Sequence, residues 1–145
     1  DRVGQIVPGT RAAEQFGSLG RGSSIGFPMA TLMGQRSIHI GAYTLIGPHV
    51  SLSAGMAPGQ PMDFDPVIRV GERCSIGRGS HIVGHRSIEI GNDVMTGPYV
   101  YVTDQNHVYT DPDVPIPPGG RVELAIEGYA GRWLRVLAPG QECFV

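Results

Sequence analysis

Five histidines stand in this chain of 145 residues, and the spacing around one of them suits acid–base chemistry. His107 closes the polar run Thr103-Asp104-Gln105-Asn106-His107, ahead of a stretch rich in Asp and Pro. An unperturbed imidazole titrates at about 6.5, so near neutral pH it can take a proton from a hydroxyl or an amine. Positioned proton transfer of this kind contributes on the order of 10² to 10⁴ in rate. Asp104 and Asn106 have side chains that could orient such a ring or line a polar pocket. The same residue types also make Asx turns, which shape a loop and do nothing else. Tyr109, Asp111 and Asp113 continue the run and could contact a substrate. Trp133 offers a flat face for stacking on a cofactor or for ordinary packing.

Several other chemistries lack their residues. Nothing matches the phosphate-binding pattern G-x-x-x-x-G-K-[ST]. No G-x-S-x-G turn is present to expose a nucleophilic serine. Cys74 and Cys143 are neither a C-x-x-C pair nor a disulfide framework, which leans towards a reducing compartment. A net charge of −2 leaves no basic field for nucleic acid or an acidic membrane surface. No apolar run approaches the roughly 20 residues that cross a bilayer. The chain opens on Asp1 without the basic, apolar and small-residue segments of a signal peptide. The expectation is a cytoplasmic protein with small-molecule partners, and neither nucleic acid nor membrane.

The elements that would hold these residues are short. Gly and Pro, with 22 and 12 residues, make up close to a quarter of the chain, which suits turns and brief strands. A repeat is visible by eye. Residues 34–53, GQRSIHIGAYTLIGPHVSLS, and residues 84–103, GHRSIEIGNDVMTGPYVYVT, agree at nine of twenty positions without gaps. Within them aliphatic residues recur every sixth place: Ile40, Ile46, Leu52, and again Val70, Ile76, Ile82, Ile88. Leu19 and Ile25 follow the same step, and a shift of two leads to Ile90, Thr96 and Val102. Six is neither the period of a helix nor strand alternation. It suits a triangular coil in which each hexad supplies one short strand and one corner. The aliphatic residue points inward, and the Gly that follows eases the corner because it has no Cβ. Three hexads give a coil of about 18 residues, and stacked coils form parallel ladders roughly 4.8 Å apart.

Residues 53–69 and 103–119 are rich in Pro, Gly and Asp and read as two loops leaving one corner of equivalent coils. An alternative threads Pro58 and Phe64 inward as part of another coil. Thr10 to Phe16 reads as one short helix. From about Arg121 the Ile-Gly pattern stops, so the segment reads as an irregular tail with one strand near Trp133–Leu137.

The run Ile90-Gly91-Asn92-Asp93-Val94, then Thr96-Gly97-Pro98-Tyr99-Val100, then the loop ending in His107, resembles the hexapeptide-repeat acyltransferases. The likeness is to their maltose/galactoside acetyltransferase branch and covers roughly residues 19–118. It implies an all-β fold, a left-handed parallel β-helix of about four coils with two extruded loops and an irregular C-terminal tail. Residues 1–120 would form the single domain, with a lead-in over 1–18, and 121–145 an atypical tail, truncated or disordered.

The resemblance further implies a homotrimer with sites between subunits. An acyl group, acetyl or longer, would pass from acyl-coenzyme A to a hydroxyl or amine, with His107 as general base. His85, Asp104, Asn106 and Tyr109 would line the acceptor side and Trp133 the cofactor side, with no metal. His85 stands where the family keeps an acidic residue, and Gly77 where it keeps an acceptor-side Asn, so maltose and galactosides themselves are not implied. Family members continue with further Ile-Gly coils after the His loop; here truncation or a shifted reading frame would account for their loss. Two alternatives stay open. One is a non-catalytic trimeric scaffold or an inactive truncated acyltransferase. The other is a zinc enzyme like the γ-class carbonic anhydrases, using His81, His85 and His107; zinc would need three imidazoles aimed at one point.

Overall fold

An aliphatic residue at every sixth position spreads round all sides of a helix and is too sparse for the alternation of one half-buried strand, so the chain is expected to turn between successive copies. The structure is a computed structural model. It describes the backbone of residues 4–107, 118–121, 125–126, 135–138 and 141–144, and the side chains of residues 4–105. Its first round of strands is β1 (Ser18–Leu19), β2 (Ser24–Ile25) and β3 (Thr31–Met33). The second is β4 (Ile38–Ile40), β5 (Leu45–Ile46) and β6 (Ser51–Ala54), and the third β7 (Ile68–Val70), β8 (Ser75–Ile76) and β9 (His81–Gly84). The fourth is β10 (Ile88–Ile90), a single bridge at Met95 to Ser75, and β11 (Tyr101–Thr103).

Each strand pairs in parallel with its counterpart one round earlier, giving the sheets β1-β4-β7-β10, β2-β5-β8 and β3-β6-β9-β11. The chain is all-β with parallel sheets, an arrangement compatible with a parallel β-helix. Among the described residues no helix is long and apolar enough to cross a membrane.

The inward columns follow the hexads. Ile25, Ile46 and Ile76 are buried on one sheet, Leu52, Ile82 and Val102 on the next, and Ile40, Val70 and Ile90 on the third. Burying one such side chain contributes roughly 1.5–3 kcal/mol. One detail departs from the sequence expectation. Thr31 faces Ser51 and His81 faces Tyr101, so a round takes 20 residues where 18 was expected. The reason is that β4, β7 and β10 each turn two side chains inward, Ile38 with Ile40, Ile68 with Val70 and Ile88 with Ile90. That second inward residue is the shift of two seen in the pattern.

The role of the glycines also differs. The left-handed residue of each corner stands two places later: Tyr43, His49, Arg73, Asp93 and Tyr99 all have φ between 55° and 60°. The glycines are required by close approach. A Cβ on Gly20, Gly26, Gly41, Gly47, Gly71 or Gly77 would come within 3.0 Å of the backbone of the next round.

Thr10 to Phe16 forms a 3₁₀ turn over Ala13–Gln15 in place of a longer helix, with the Thr10 hydroxyl accepting from the Ala13 N–H. Ala13 and Phe16 are buried, and Ile6 pairs antiparallel with Ile25, so the lead-in covers one end of the core. Residues 55–67 leave and return at the corner between β6 and β7, as expected of a loop. The threading through Pro58 and Phe64 is not followed: Phe64 is exposed and Val67 enters the core.

In the tail, expected to be irregular with one strand near Trp133–Leu137, several short segments are described. The described residues beyond 117 form β13 (Pro118–Arg121), β14 (Ala125–Ile126), β15 (Arg135–Ala138) and β16 (Gln141–Phe144). β14 pairs in parallel with β10, Ile126 opposite Ile90, and β15 and β16 follow antiparallel. β10 offers a ladder of backbone donors and acceptors, which a strand can use without any Ile-Gly repeat. β15 overlaps the one strand expected near Trp133–Leu137.

Candidate functional site

The sequence places its candidates around the third corner of the last two rounds, and the backbone there is held by one carboxylate. Asp104 follows β11 directly and is buried. Its Oδ1 accepts from the N–H of His85 at 2.9 Å, and its Oδ2 from those of Arg86 and Ser87 at 2.7 Å each. Three successive N–H groups around a carboxylate make a local anion cradle. Hydrogen bonds to an ionised acceptor are among the stronger ones in proteins. The turn 85–87 and the start of the 103–107 segment are thereby fastened together. Asp104 and the backbone of His85, both named from the sequence, are thus joined directly.

The segment then enters β12 (Gln105–His107), with the Gln105 N–H donating to the Thr103 hydroxyl at 3.2 Å. β12 pairs antiparallel with β13, Gln105 opposite Arg121 and His107 opposite Pro118. The expected loop over 103–119 is thus tied at its base by a two-stranded pair, and His107 stands at that tie. The side chains of Asn106 and His107, and all of Tyr109 and Trp133, lie outside the described residues.

His85 is half-buried, and its Nδ1 is shielded without a hydrogen-bond partner among the described residues. Such an atom is costly to leave unpaired. Beside it the Arg86 guanidinium lies 5.3 Å from the Phe64 ring centroid. That contact brings the 55–67 loop to the same corner, as the equal placement of the two loops after Leu52 and Val102 leads one to expect.

His81 is exposed in β9 and faces Tyr101, ring centroids 6.1 Å apart. It points outward from the strand, whereas the His85 Nδ1 is shielded within the turn. Among the described residues no group of three His, Cys, Asp or Glu side chains converges as a metal site would require. Cys74 is buried and its thiol donates to the Gly91 carbonyl at 3.0 Å.

No family model matches the chain, and comparison with curated proteins and with solved structures returns no match.

Proposed function

We propose that this chain is an acyltransferase of the hexapeptide-repeat kind, built on a left-handed parallel β-helix and working as a homotrimer. The observation that carries the reading is the Asp104 cradle. It fixes the Thr103–His107 segment against the His85 turn, in the register where the resembling family keeps its general base. His107 takes a proton from the acceptor hydroxyl or amine as that group attacks the acyl carbon. The imidazolium then returns the proton to the departing sulfur as the thioester C–S bond breaks. Acyl-coenzyme A, as co-substrate, supplies the activated acyl group. His85 offers a polar contact to the acceptor, and Asp104 positions the segment without touching the reacting atoms. The acceptor is a small hydroxyl or amine compound other than maltose or a galactoside, because the two residues that mark those sugars are replaced by His85 and Gly77.

The test is release of free thiol from acetyl-coenzyme A with a panel of sugar and amine acceptors, for wild type and His107→Ala. The expected result is acceptor-dependent release that falls by about 10² to 10⁴ in the variant. Release that survives the substitution would overturn the general-base role. Light scattering should give a mass near three chains; a mass near one 15.4 kDa chain would sink the trimer.

A further inference from the structure

A different histidine lies on another face of the molecule. The outward column of the first sheet runs Ser18, His39, Arg69, Glu89, each opposite the next in register. The Ser18 Oγ lies 3.2 Å from His39 Nδ1, and His39 Nε2 lies 3.2 Å from Asp65 Oδ1. An ionised carboxylate only accepts hydrogen bonds, so Nε2 carries the ring proton and donates to Asp65. That fixes the tautomer and leaves Nδ1 as the acceptor facing the Ser18 hydroxyl. Nucleophile, base and orienting carboxylate are thus in one hydrogen-bonded line, the arrangement that activates a serine on unrelated folds.

Two features make this line usable. It opens on a groove of about 450 Å³ that runs past Arg69, Glu72 and Asn92. In addition, the Gly17 N–H donates to the Gln35 and Ile38 carbonyls and the Gly20 N–H to the Ile40 carbonyl, so the backbone on either side of Ser18 is fixed to the next round.

We propose that Ser18, His39 and Asp65 form a hydrolytic site for small carboxylic esters, separate from the acyl-transfer corner. Ser18 Oγ forms a bond to the ester carbonyl carbon while His39 Nδ1 takes its proton. The ester C–O bond breaks, and the proton leaves with the alcohol. Water then attacks the acyl-serine, giving its proton to His39, and the carboxylic acid departs as Ser18 recovers its hydrogen. Ser18 and His39 are catalytic residues. Asp65 is a positioning residue, since it acts through the ring. His39 is 27% exposed and Asp65 65%, so water for the second step is at hand.

The test is covalent labelling of the full chain with a fluorophosphonate, read by intact mass and peptide mapping. One label is expected on Ser18, absent in Ser18→Ala and retained in Ser24→Ala. Ser24 is a strand serine on another sheet. His39→Gln should slow labelling by at least about 10²-fold. Asp65→Asn should slow it by roughly tenfold, the loss of a hydrogen bond to a charged group. Asp65→Glu should recover most of that loss, which a merely structural role would not do. The wild-type rate must rise with pH, since the ring acts as a base. Absence of label on Ser18, a rate indifferent to His39→Gln, or a flat pH profile would each overturn the proposal. None of these readouts depends on coenzyme A, so the outcome is independent of the acyltransferase reading.

Discussion

The twenty-residue blocks 34–53 and 84–103 share nearly half of their residues, yet they meet different surroundings. Gly41 and Gly47 lie beneath the backbone of the third round, so a Cβ on either would come within 3.0 Å of main-chain atoms. Gly91 and Gly97, the same positions in the later block, have nothing described within 4 Å of such a Cβ. None of the four has the positive φ that would itself demand glycine. The comparison teaches that Gly41 and Gly47 answer to the round stacked upon them, and that none of the four corners calls for glycine through its own φ.

Breaking that comparison is the largest effect expected. Gly41→Ala or Gly47→Ala forces backbone apart in a packed stack, and overpacking of this kind costs up to about 3 kcal/mol. For a chain of this size that lowers the melting temperature by on the order of 10 °C. Gly91→Ala and Gly97→Ala should stay within about 0.5 kcal/mol of wild type. Thermal melts of the four variants decide it. Equal losses in both blocks would show that the corner itself needs glycine.

The second contrast lies just past each block. Ala54 follows the first and is a buried apolar residue, whereas Asp104 follows the second and accepts three backbone N–H bonds. Asp104→Ala should cost about 2–3 kcal/mol, because three amides lose a charged acceptor at once. Hydrogen exchange at residues 85–87 should speed up by one to two orders of magnitude, while β4–β6 remain protected. Unchanged exchange at those amides would remove Asp104 as the fastener of the candidate site.

How much of this was legible follows from the range over which each residue's partners lie. The inward columns were readable because one local rule, an aliphatic residue every sixth place, also satisfies the stacking above and below. The length of the round was misjudged because Ile88 and Ile90 look like a slipped register, when both face inward on β10. Asp104 reads as an ordinary loop residue, since the turn that it holds lies 17 to 19 positions earlier. Ser18, His39 and Asp65 carry no local motif at all. They meet only because one round separates the first two, and the loop before β7 returns the third. β14 joins the tail to β10 by backbone pairing, for which a side-chain repeat gives no signal.

A smaller contrast sits inside the blocks, where Thr44 is matched by Val94. Both are fully buried. The Thr44 hydroxyl donates to the Gly71 carbonyl at 2.7 Å and accepts from the Cys74 N–H at 3.1 Å, bridging to the round above. Ser23 does the same one round below, accepting from the Thr44 N–H and donating to the Gly41 carbonyl. This polar ladder ends at Val94. Thr44→Val should cost about 1–2 kcal/mol, because it leaves a buried N–H without its acceptor. If Thr44→Val melts with wild type, the ladder contributes nothing beyond its shape.

The smallest effect separates Tyr43 from Asp93, which share the left-handed corner position at φ 57° and 60°. Tyr43 lies beneath Arg21 at 5.3 Å, whereas Asp93 takes two hydrogen bonds from the Arg73 guanidinium, at 2.7 and 3.0 Å. Those bonds hold the Asp93 carboxyl below its ordinary value, chiefly through the hydrogen bond to Arg73. A carboxyl whose folded value is depressed stabilises the protein above its unfolded value, near 3.8, and loses that contribution as pH falls through the lower folded value. The pair is exposed, so salt and solvent screen it and the effect on melting is slight. Asn also tolerates the left-handed conformation, so Asp93→Asn removes the charge without straining the corner. Melts of this variant and wild type should therefore differ slightly at neutral pH and converge in acid. A gap that persists in acid would assign the difference to backbone shape, and the two corners would then be alike in all but their side chains.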